Sequence, residues 1–161
     1  METSEARAGA TARVREALSA LGLDCRVVEY AESTRTAAEA AASIGCQPGQ
    51  IVKSLVFKGL ASGQPLLVLA SGPSRVDEKL LAALAGEPVG RATAEFVRES
   101  TGFAIGGVPP VGHARPMRAW VDGALLQYPE VWAAAGTPHA VFALPSSELA
   151  RACGGIVARL S

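Results

Sequence analysis

The clearest alternation of side chains lies in the segment IVKSLVFK, residues 51–58. β-Branched and aromatic residues at a spacing of two predict a strand. One face of this strand carries Ile51, Lys53, Leu55 and Phe57. This face is apolar except for one lysine, whose ammonium group is costly to bury without partners. Two interpretations stay open: the lysine reaches the surface along its apolar stem, or it lines a cavity and meets a carbonyl, carboxylate or phosphate there.

Apolar spacing and end signals predict the remaining elements. We expect helices over residues 10–21, 36–44, 77–84, 94–100 and 146–152, with a helical turn over 128–135. We expect strands over residues 25–30, 51–58, 65–71, 89–92, 139–144 and 156–160, one or two strands over 118–126, and a short strand that leads into a loop over 103–108. Thr36 is expected to cap its helix in a capping box with Glu39, and Gly22 and Gly45 to end theirs. Residues 51–58 and 65–71 flank a Gly- and Ser-containing turn, which is typical of a hairpin.

The order of these elements mixes hairpins with helices and lacks regular βαβ repetition. This order predicts an α+β fold with a mixed, mostly antiparallel sheet that is flanked by helices. A chain of 161 residues, 49% of them hydrophobic, is long enough to bury one sizeable core. We therefore expect a disordered tail over residues 1–8 and a single domain over residues 9–161.

A second feature is the segment TGFAIGGVPPVGH, residues 101–113, which holds four glycines and two adjacent prolines. Gly106 and Gly107 allow backbone conformations in which a side chain would clash. Pro109 and Pro110 stiffen the chain and remove two backbone donors. The segment is either a structural turn or the rigid wall of a pocket for a small ligand.

Charge and cysteine content narrow the classes of function. Fifteen basic and fifteen acidic residues balance, and the basic ones are dispersed, which disfavours a broad nucleic-acid-binding face. Handling of a terminal nucleotide alone remains compatible with this balance. Three isolated cysteines suit a reducing cytosol, where they serve as small core residues. We find no signal-peptide pattern and no apolar stretch that could span a bilayer, and we expect a cytoplasmic protein.

Common catalytic templates do not appear in the sequence. There is no Walker loop, no G-x-G-x-x-G, no H-E-x-x-H and no G-x-S-x-G. His113 and His139 lie far apart without clustered carboxylates, which disfavours a zinc site. His113 is either a surface loop residue or a hydrogen-bond donor at a pocket edge. Asp122 precedes Gly123, a pair that is typical of a turn.

Taken together, the two segments resemble the YbaK-type family of prolyl-tRNA-synthetase-associated editing domains. The resemblance rests on Lys53 in the context VKSLVF, and on Thr101-Gly102-Phe103 followed by Gly106-Gly107-Val108-Pro109-Pro110-Val111-Gly112-His113. It covers roughly residues 11–160. It implies a curved, partly barrel-like sheet with a cleft at one end, and hydrolysis of mischarged aminoacyl-tRNA without a metal or cofactor.

The resemblance also implies roles for particular residues. Lys53 supplies positive charge, and the backbone N–H groups around Gly106 and Gly107 stabilise the oxyanion. The implied substrate-binding residues are Ser54, Phe103, Pro109, His113, Asp122 and Gly136. In the branch of the family directed at cysteinyl-tRNA a serine and an aspartate stand where this chain has Ala134 and Val141, which leaves a less polar wall suited to a side chain such as alanine.

The implied substrate is the 3′-terminal adenosine end of a mischarged aminoacyl-tRNA, with tRNAPro carrying alanine or cysteine favoured. Prolyl-tRNA synthetase is a candidate partner, and neither DNA nor a membrane is expected. Two alternatives stay open. One is a non-catalytic module that binds an aminoacyl-adenosine end or a synthetase, and the other is a hydrolase of small esters.

Overall fold

The computed structural model describes residues 4–30 and 36–161, and these form two β-sheets and five α-helices. The helices are α1 (Ser4–Ala20), α2 (Ala37–Ile44), α3 (Glu78–Ala85), α4 (Ala94–Thr101) and α5 (Leu149–Cys153). The strands are β1 (Val27–Glu29), β2 (Val52–Gly59), β3 (Pro65–Ser71), β4 (Val89–Arg91), β5 (Arg118–Asp122), β6 (Glu130–Ala134), β7 (Ala140–Pro145) and β8 (Ile156–Ala158). Three 3₁₀ turns lie at Pro48–Gln50, Gly123–Gln127 and Ser146–Glu148.

The five-stranded sheet has the order β4-β2-β3-β5-β8, and the three-stranded sheet has the order β1-β7-β6. The β3–β5 and β5–β8 pairs are parallel, whereas the other pairs within both sheets are antiparallel. Among the described residues, one bridge between Ile51 and Trp132 links the two sheets. The predicted α+β fold with a mixed, mostly antiparallel sheet is confirmed.

The β2–β3 hairpin is the centre of the larger sheet, as the sequence predicts. Both faces of this sheet are covered, so every residue of β3 is buried. On one face Val52 and Val56 pack into the main core with α1 and the three-stranded sheet. On the other face Leu55 and Phe57 pack against Leu81 of α3. The predicted alternation of β2 is therefore correct, and Lys53 lies on the same face as Leu55 and Phe57.

Helix ends also follow the sequence signals. The Thr36 hydroxyl accepts a hydrogen bond from the N–H of Glu39 at 3.1 Å, and Gly45 ends α2 at φ 89°. The Thr93 hydroxyl caps α4 in the same way, by accepting from the N–H of Phe96.

Three predictions about elements are wrong. Helix α1 begins at Ser4 rather than at residue 10, so part of the segment expected to be a disordered tail is helical; residues 1–3 lie outside the described ranges. Residues 128–135 do not form a helical turn, because residues 130–134 form strand β6. Residues 103–108 contain no strand and follow directly from α4 as a loop. By contrast, residues 118–126 form one strand followed by a 3₁₀ turn, which agrees with the prediction of one or two strands.

The error at β6 has a physical cause. Alanine favours helices, and the run of three alanines after Trp132 therefore reads as helical. In the structure Val131 and Ala133 alternate into the main core, and β6 pairs along its length with β7. Tertiary pairing overrides the weak local propensity.

Candidate functional site

A gap between the two sheets leaves part of the outer edge of β2 uncovered. Within the part of the chain that the structure describes, β4 pairs with this edge only at residues 57–59, and β6 pairs with it only through the bridge from Ile51 to Trp132. The middle of β2 lies between these two points. The loop that contains Ile105 and Gly106 borders the gap, which opens into a cleft.

The cleft has two chambers that share Lys53, Ser54, Leu55, Ile105 and Val108. The larger, which we call the cationic chamber, has a volume of about 630 Å³. Its lining includes three basic residues, Lys53, Arg75 and Arg91, and one acidic residue, Glu78. The smaller, which we call the apolar chamber, has a volume of about 380 Å³. Its walls are mostly apolar or small: Ala37, Ala40, Ile51, Trp132, Ala134, Thr137, Pro138, Ala140 and Val141.

Lys53 lies where the two chambers meet. Its Nζ donates a hydrogen bond to the Ser74 carbonyl oxygen at 2.5 Å, and the side chain is half-buried. Burial lowers the pKa of Lys53 below its ordinary value, because desolvation disfavours the ammonium form. Of the two interpretations of this lysine, the structure supports the one in which it lines a cavity.

Ser54 follows Lys53 on the strand and also lines both chambers. Its Oγ is buried and has no hydrogen-bond partner among the described residues. A buried hydroxyl without a partner costs free energy, which makes this atom a candidate for ligand binding.

The glycine–proline segment combines both interpretations of its sequence. Its first part ends a helix: Gly102 caps α4 at φ 80°, and the Thr101 hydroxyl accepts from the N–H of Phe103. Its middle part lines the cleft through Ile105, Gly106 and Val108. The segment is therefore a structural turn whose tip forms a pocket wall.

Gly106 and Gly107 have different roles in this tip. Gly106 lines the apolar chamber at φ 88°, a conformation that favours glycine. The N–H of Gly107 donates to the Ala104 carbonyl at 3.0 Å, so this donor closes a turn and is not available to an oxyanion. A Cβ on Gly107 would lie 2.6 Å from the Cα of Thr137. Gly107 thus allows the loop to approach residues 136–137 closely, which corrects its predicted role as a donor.

His113 and Pro109 close the end of the loop. The His113 Nε2 and the Pro109 carbonyl oxygen are 2.7 Å apart, which fits a ring N–H donating to the carbonyl. Burial lowers the pKa of His113 and favours the neutral ring, although the bond to Pro109 opposes this shift. The structure places both residues in the support of the loop.

Three other predicted site residues make contacts that stabilise the fold. Phe103 is fully buried in the main core, with the Arg13 guanidinium 4.5 Å from its ring centroid. Gly136, at φ 99°, packs closely against the Ala10 carbonyl of α1. Asp122 is buried and accepts hydrogen bonds from the Ser161 hydroxyl and the Leu160 N–H. The contacts of Asp122 are at the C-terminal end of the described chain, so the structure does not bring it together with Lys53.

Sequence reasoning missed several residues that line the cleft. Arg75 follows β3 and Arg91 ends β4, and their distance from Lys53 in sequence hides the cluster. Ile105 is 62% exposed although it is a large apolar residue, and it lines both chambers. The sequence offered one signal for Ile105 as a cleft residue, namely a large apolar side chain directly before two glycines in a predicted loop.

Ala134 and Val141 do lie together, as the expected less polar wall requires. They are direct neighbours in the β6–β7 pair, and both line the apolar chamber.

Among residues 4–30 and 36–161, no group of three or more His, Cys, Asp or Glu side chains is placed to hold a metal ion. No helix in these ranges is both long enough and apolar enough to cross a bilayer.

Several known proteins are similar to this chain in sequence or in structure. Residues 31–152 match the family described as an aminoacyl-tRNA editing domain. The chain is 32% identical over 123 residues to "Uncharacterized protein YwhH" of Bacillus subtilis (strain 168), which covers 76% of this chain and 78% of that protein. It is 37% identical over 97 residues to the proline–tRNA ligase of Bacillus licheniformis, which covers 60% of this chain and 17% of the ligase. A crystal structure of a candidate trans-editing enzyme for prolyl-tRNA synthetase has 52% identity and a TM-score of 0.89, over 94% of this chain and 96% of that chain.

Proposed function

The chain belongs to the aminoacyl-tRNA editing domain family, and on this premise we propose that it is a freestanding deacylase that hydrolyses mischarged tRNA in trans. The proposed substrate is tRNAPro that carries a small amino acid, alanine or cysteine. The observation that supports this proposal most directly is the position of Lys53, which lines both the cationic and the apolar chamber.

The two chambers suit the two ends of an aminoacyl-tRNA terminus. Arg75 and Arg91 place positive charge in the larger chamber, which fits the phosphates and ribose of the 3′ end. The smaller chamber fits a small amino acid side chain, because Ala134, Ala140 and Val141 form part of its wall. The overall neutrality of the chain is compatible with this arrangement, since only the terminus of the tRNA enters the cleft.

The chemistry requires little from the protein because an aminoacyl ester is already activated. Water, either alone or assisted by the neighbouring ribose 2′-hydroxyl, adds to the ester carbonyl carbon, releases one proton to the surrounding water, and forms a tetrahedral oxyanion. The carbon–oxygen bond to the ribose then breaks as the carbonyl reforms, and the ribose oxygen takes a proton back from the surrounding water. The products are the free amino acid and the uncharged tRNA.

Lys53 and Gly106 are the proposed catalytic groups. The Lys53 ammonium stabilises the negative charge on the carbonyl oxygen, and the backbone N–H of Gly106 is a further donor on the wall of the apolar chamber. Since the Gly107 N–H is bonded within the loop, Gly107 supports this geometry through its close approach to Thr137. His113 and Pro109 hold the end of the same loop.

An editing site of this kind complements a synthetase pocket, which rejects smaller amino acids poorly. The test is hydrolysis of Ala-, Cys- and Ser-tRNAPro beside correctly charged Pro-tRNAPro. We expect at least one mischarged ester to be cleaved and Pro-tRNAPro to be preserved. Survival of every ester in the presence of folded protein would overturn the proposal and favour a non-catalytic binding module. Efficient cleavage of minimal esters without tRNA would favour a small-molecule hydrolase.

A further inference from the structure

We propose that Ser54 binds the α-amino group and the ester carbonyl of the substrate through its main chain, so that the site accepts only esters with an unblocked amine. This inference rests on the proposed deacylase function and names its substrate class. Peptidyl-tRNA and other N-acylated aminoacyl-tRNAs would then be excluded by the closed end of the gap, which leaves no room for the acyl group.

The hydrogen bonds around β2 show which way the main chain of Ser54 faces. The Gly59 N–H donates to the Gln64 carbonyl at 2.9 Å, and the Gly72 N–H donates to the Ile51 carbonyl at 2.8 Å. In an antiparallel pair the bonded positions alternate, so the odd-numbered residues of this segment face β3. The N–H and C=O groups of Ser54 therefore point to the opposite edge.

That edge is open at Ser54. Strand β4 pairs at residues 57–59, and β6 reaches only Ile51. Within residues 4–30 and 36–161, no strand or loop pairs with the main chain of Ser54 on this side. Its Oγ is buried and unpartnered as well. Ser54 thus has one backbone donor and one backbone acceptor on the open edge, with a buried hydroxyl group beside them.

An aminoacyl ester offers the complementary groups. Its amine nitrogen and ester carbonyl are spaced like the N–H and C=O of one strand residue. In a hydrogen-bonded antiparallel pair, the Ser54 C=O would accept from the amine and the Ser54 N–H would donate to the ester carbonyl. The second of these bonds strengthens as the carbonyl oxygen gains negative charge, and it adds a donor to that of Gly106.

The same pairing places the other parts of the substrate. Side chains of directly opposed residues lie on the same face of a sheet, so the substrate side chain would share the face of Val52 and Ser54. Both of these residues line the apolar chamber. The ester oxygen would lie opposite Lys53, whose side chain also lines the cationic chamber.

The amine end of the substrate would point in the opposite direction, toward Leu55. The gap closes two residues further on, where Phe57 pairs with Arg91 of β4. An acyl group on the amine would replace one donor and extend toward this closed end. A hydroxyl in place of the amine would leave the Ser54 carbonyl with a weaker partner and would remove no space.

The first test compares L-Ala-tRNAPro with N-acetyl-L-Ala-tRNAPro in single-turnover hydrolysis. Each rate is divided by the uncatalysed rate of the same ester, because a free amine makes the ester intrinsically more labile. We expect acetylation to lower the normalised rate by about ten- to hundredfold, because the acyl group must be forced into the closed end of the gap. Equal normalised rates would overturn the inference. If L-Ala-, Cys- and Ser-tRNAPro all survive, the proposed function itself fails.

A binding measurement separates recognition of the amine from catalysis. The probes are the amide analogue 3′-(L-alanylamino)-3′-deoxyadenosine and its N-acetyl derivative, with affinity measured by calorimetry. We expect the N-acetyl derivative to bind at least about tenfold more weakly. Equal affinity of the two probes would contradict the role of Ser54.

The Ser54→Ala variant tests the hydroxyl alone. We expect it to fold with at least wild-type stability, because the variant removes an unpartnered buried hydroxyl. It should retain the preference for the free amine, since the main-chain groups remain. Loss of this preference in a folded Ser54→Ala variant would contradict recognition by the main chain, and loss of stability would contradict the unpartnered state of Oγ.

Discussion

Substitution of Gly107 by alanine is the sharpest perturbation of the loop that borders the cleft. A Cβ at this position would lie 2.6 Å from the Cα of Thr137 and 2.9 Å from the carbonyl oxygen of Gly136. Non-bonded carbon atoms prefer a separation of about 3.5–4.0 Å. The loop and residues 136–137 must therefore move apart by roughly 1 Å, because both contacts are with backbone that cannot rotate away.

The expected cost follows from this geometry. Overpacking of a well-packed site costs about 1–3 kcal/mol. For a domain of this size that corresponds to a fall in Tm of about 2–12 °C. A displacement of 1 Å in a catalytic arrangement can lower the rate by about 100-fold. Gly107→Ala should therefore lose both stability and activity, with the loss of activity persisting well below its Tm.

Thermal unfolding and single-turnover hydrolysis of mischarged tRNA measure the two effects separately. Gly9→Ala is the matched control, since Gly9 lies in α1 and a Cβ there would meet nothing within 4 Å. We expect this control to gain about 0.4–1 kcal/mol and to keep its activity. Wild-type stability and rate in Gly107→Ala would refute the close approach. A destabilised variant that is fully active while folded would refute the coupling between the loop and the site.

Three further substitutions probe burial and charge. Burial lowers the pKa of Lys53, so the unfolded chain binds more protons at alkaline pH and the free energy of unfolding should rise with pH there. Lys53→Met should remove this rise in denaturant titrations from pH 7 to pH 10 and should be no less stable than the wild type at pH 7. A rise that persists in the variant would contradict its assignment to Lys53. Burial also lowers the pKa of His113, so stability should be lost as the pH falls below about 6.5, where the unfolded chain takes the proton first. His113→Gln should reduce the difference between denaturation midpoints at pH 7.5 and pH 5.5, and an unchanged difference would exclude His113 as its source. Asp122→Ala should lower the free energy of unfolding by about 1–3 kcal/mol, because it leaves the Ser161 hydroxyl and the Leu160 N–H without their acceptor. The deacylation rate of the folded variant should stay at the wild-type level, and a large loss of rate would show that Asp122 acts in the site.

Local signals in the sequence predicted much of the fold. The alternation over residues 51–58 predicted β2 and its two faces, and the capping residue Thr36 predicted the start of α2. The alanine-rich strand β6 was mistaken for a helical turn, since its buried alternation depends on pairing with β7. The parallel pairing of β8 with β5 joins distant segments, and no local pattern specifies it.

The parts of the site that could be predicted are those where a residue stands out from its local sequence pattern. A lysine on an apolar strand face and two adjacent glycines in a loop were visible without a structure. Arg75 and Arg91 were not, because folding alone brings them to the chamber that Lys53 lines. Asp122 and Phe103 were placed in the site by resemblance, whereas the structure shows a carboxylate that binds the C-terminal residues and a buried ring.

The central claim is that Lys53 drives ester hydrolysis in the cleft between the sheets. Its most direct test is single-turnover hydrolysis of Ala-, Cys- and Ser-tRNAPro by the wild type, Lys53→Ala and Lys58→Ala. Lys58 is the matched control because it lies on the same strand, is exposed, and has its Nζ 5.2 Å from the centroid of the Phe96 ring. We predict that the ester cleaved by the wild type loses at least about 100-fold in rate with Lys53→Ala and is cleaved normally by Lys58→Ala. A folded Lys53→Ala variant with the wild-type rate would contradict the account.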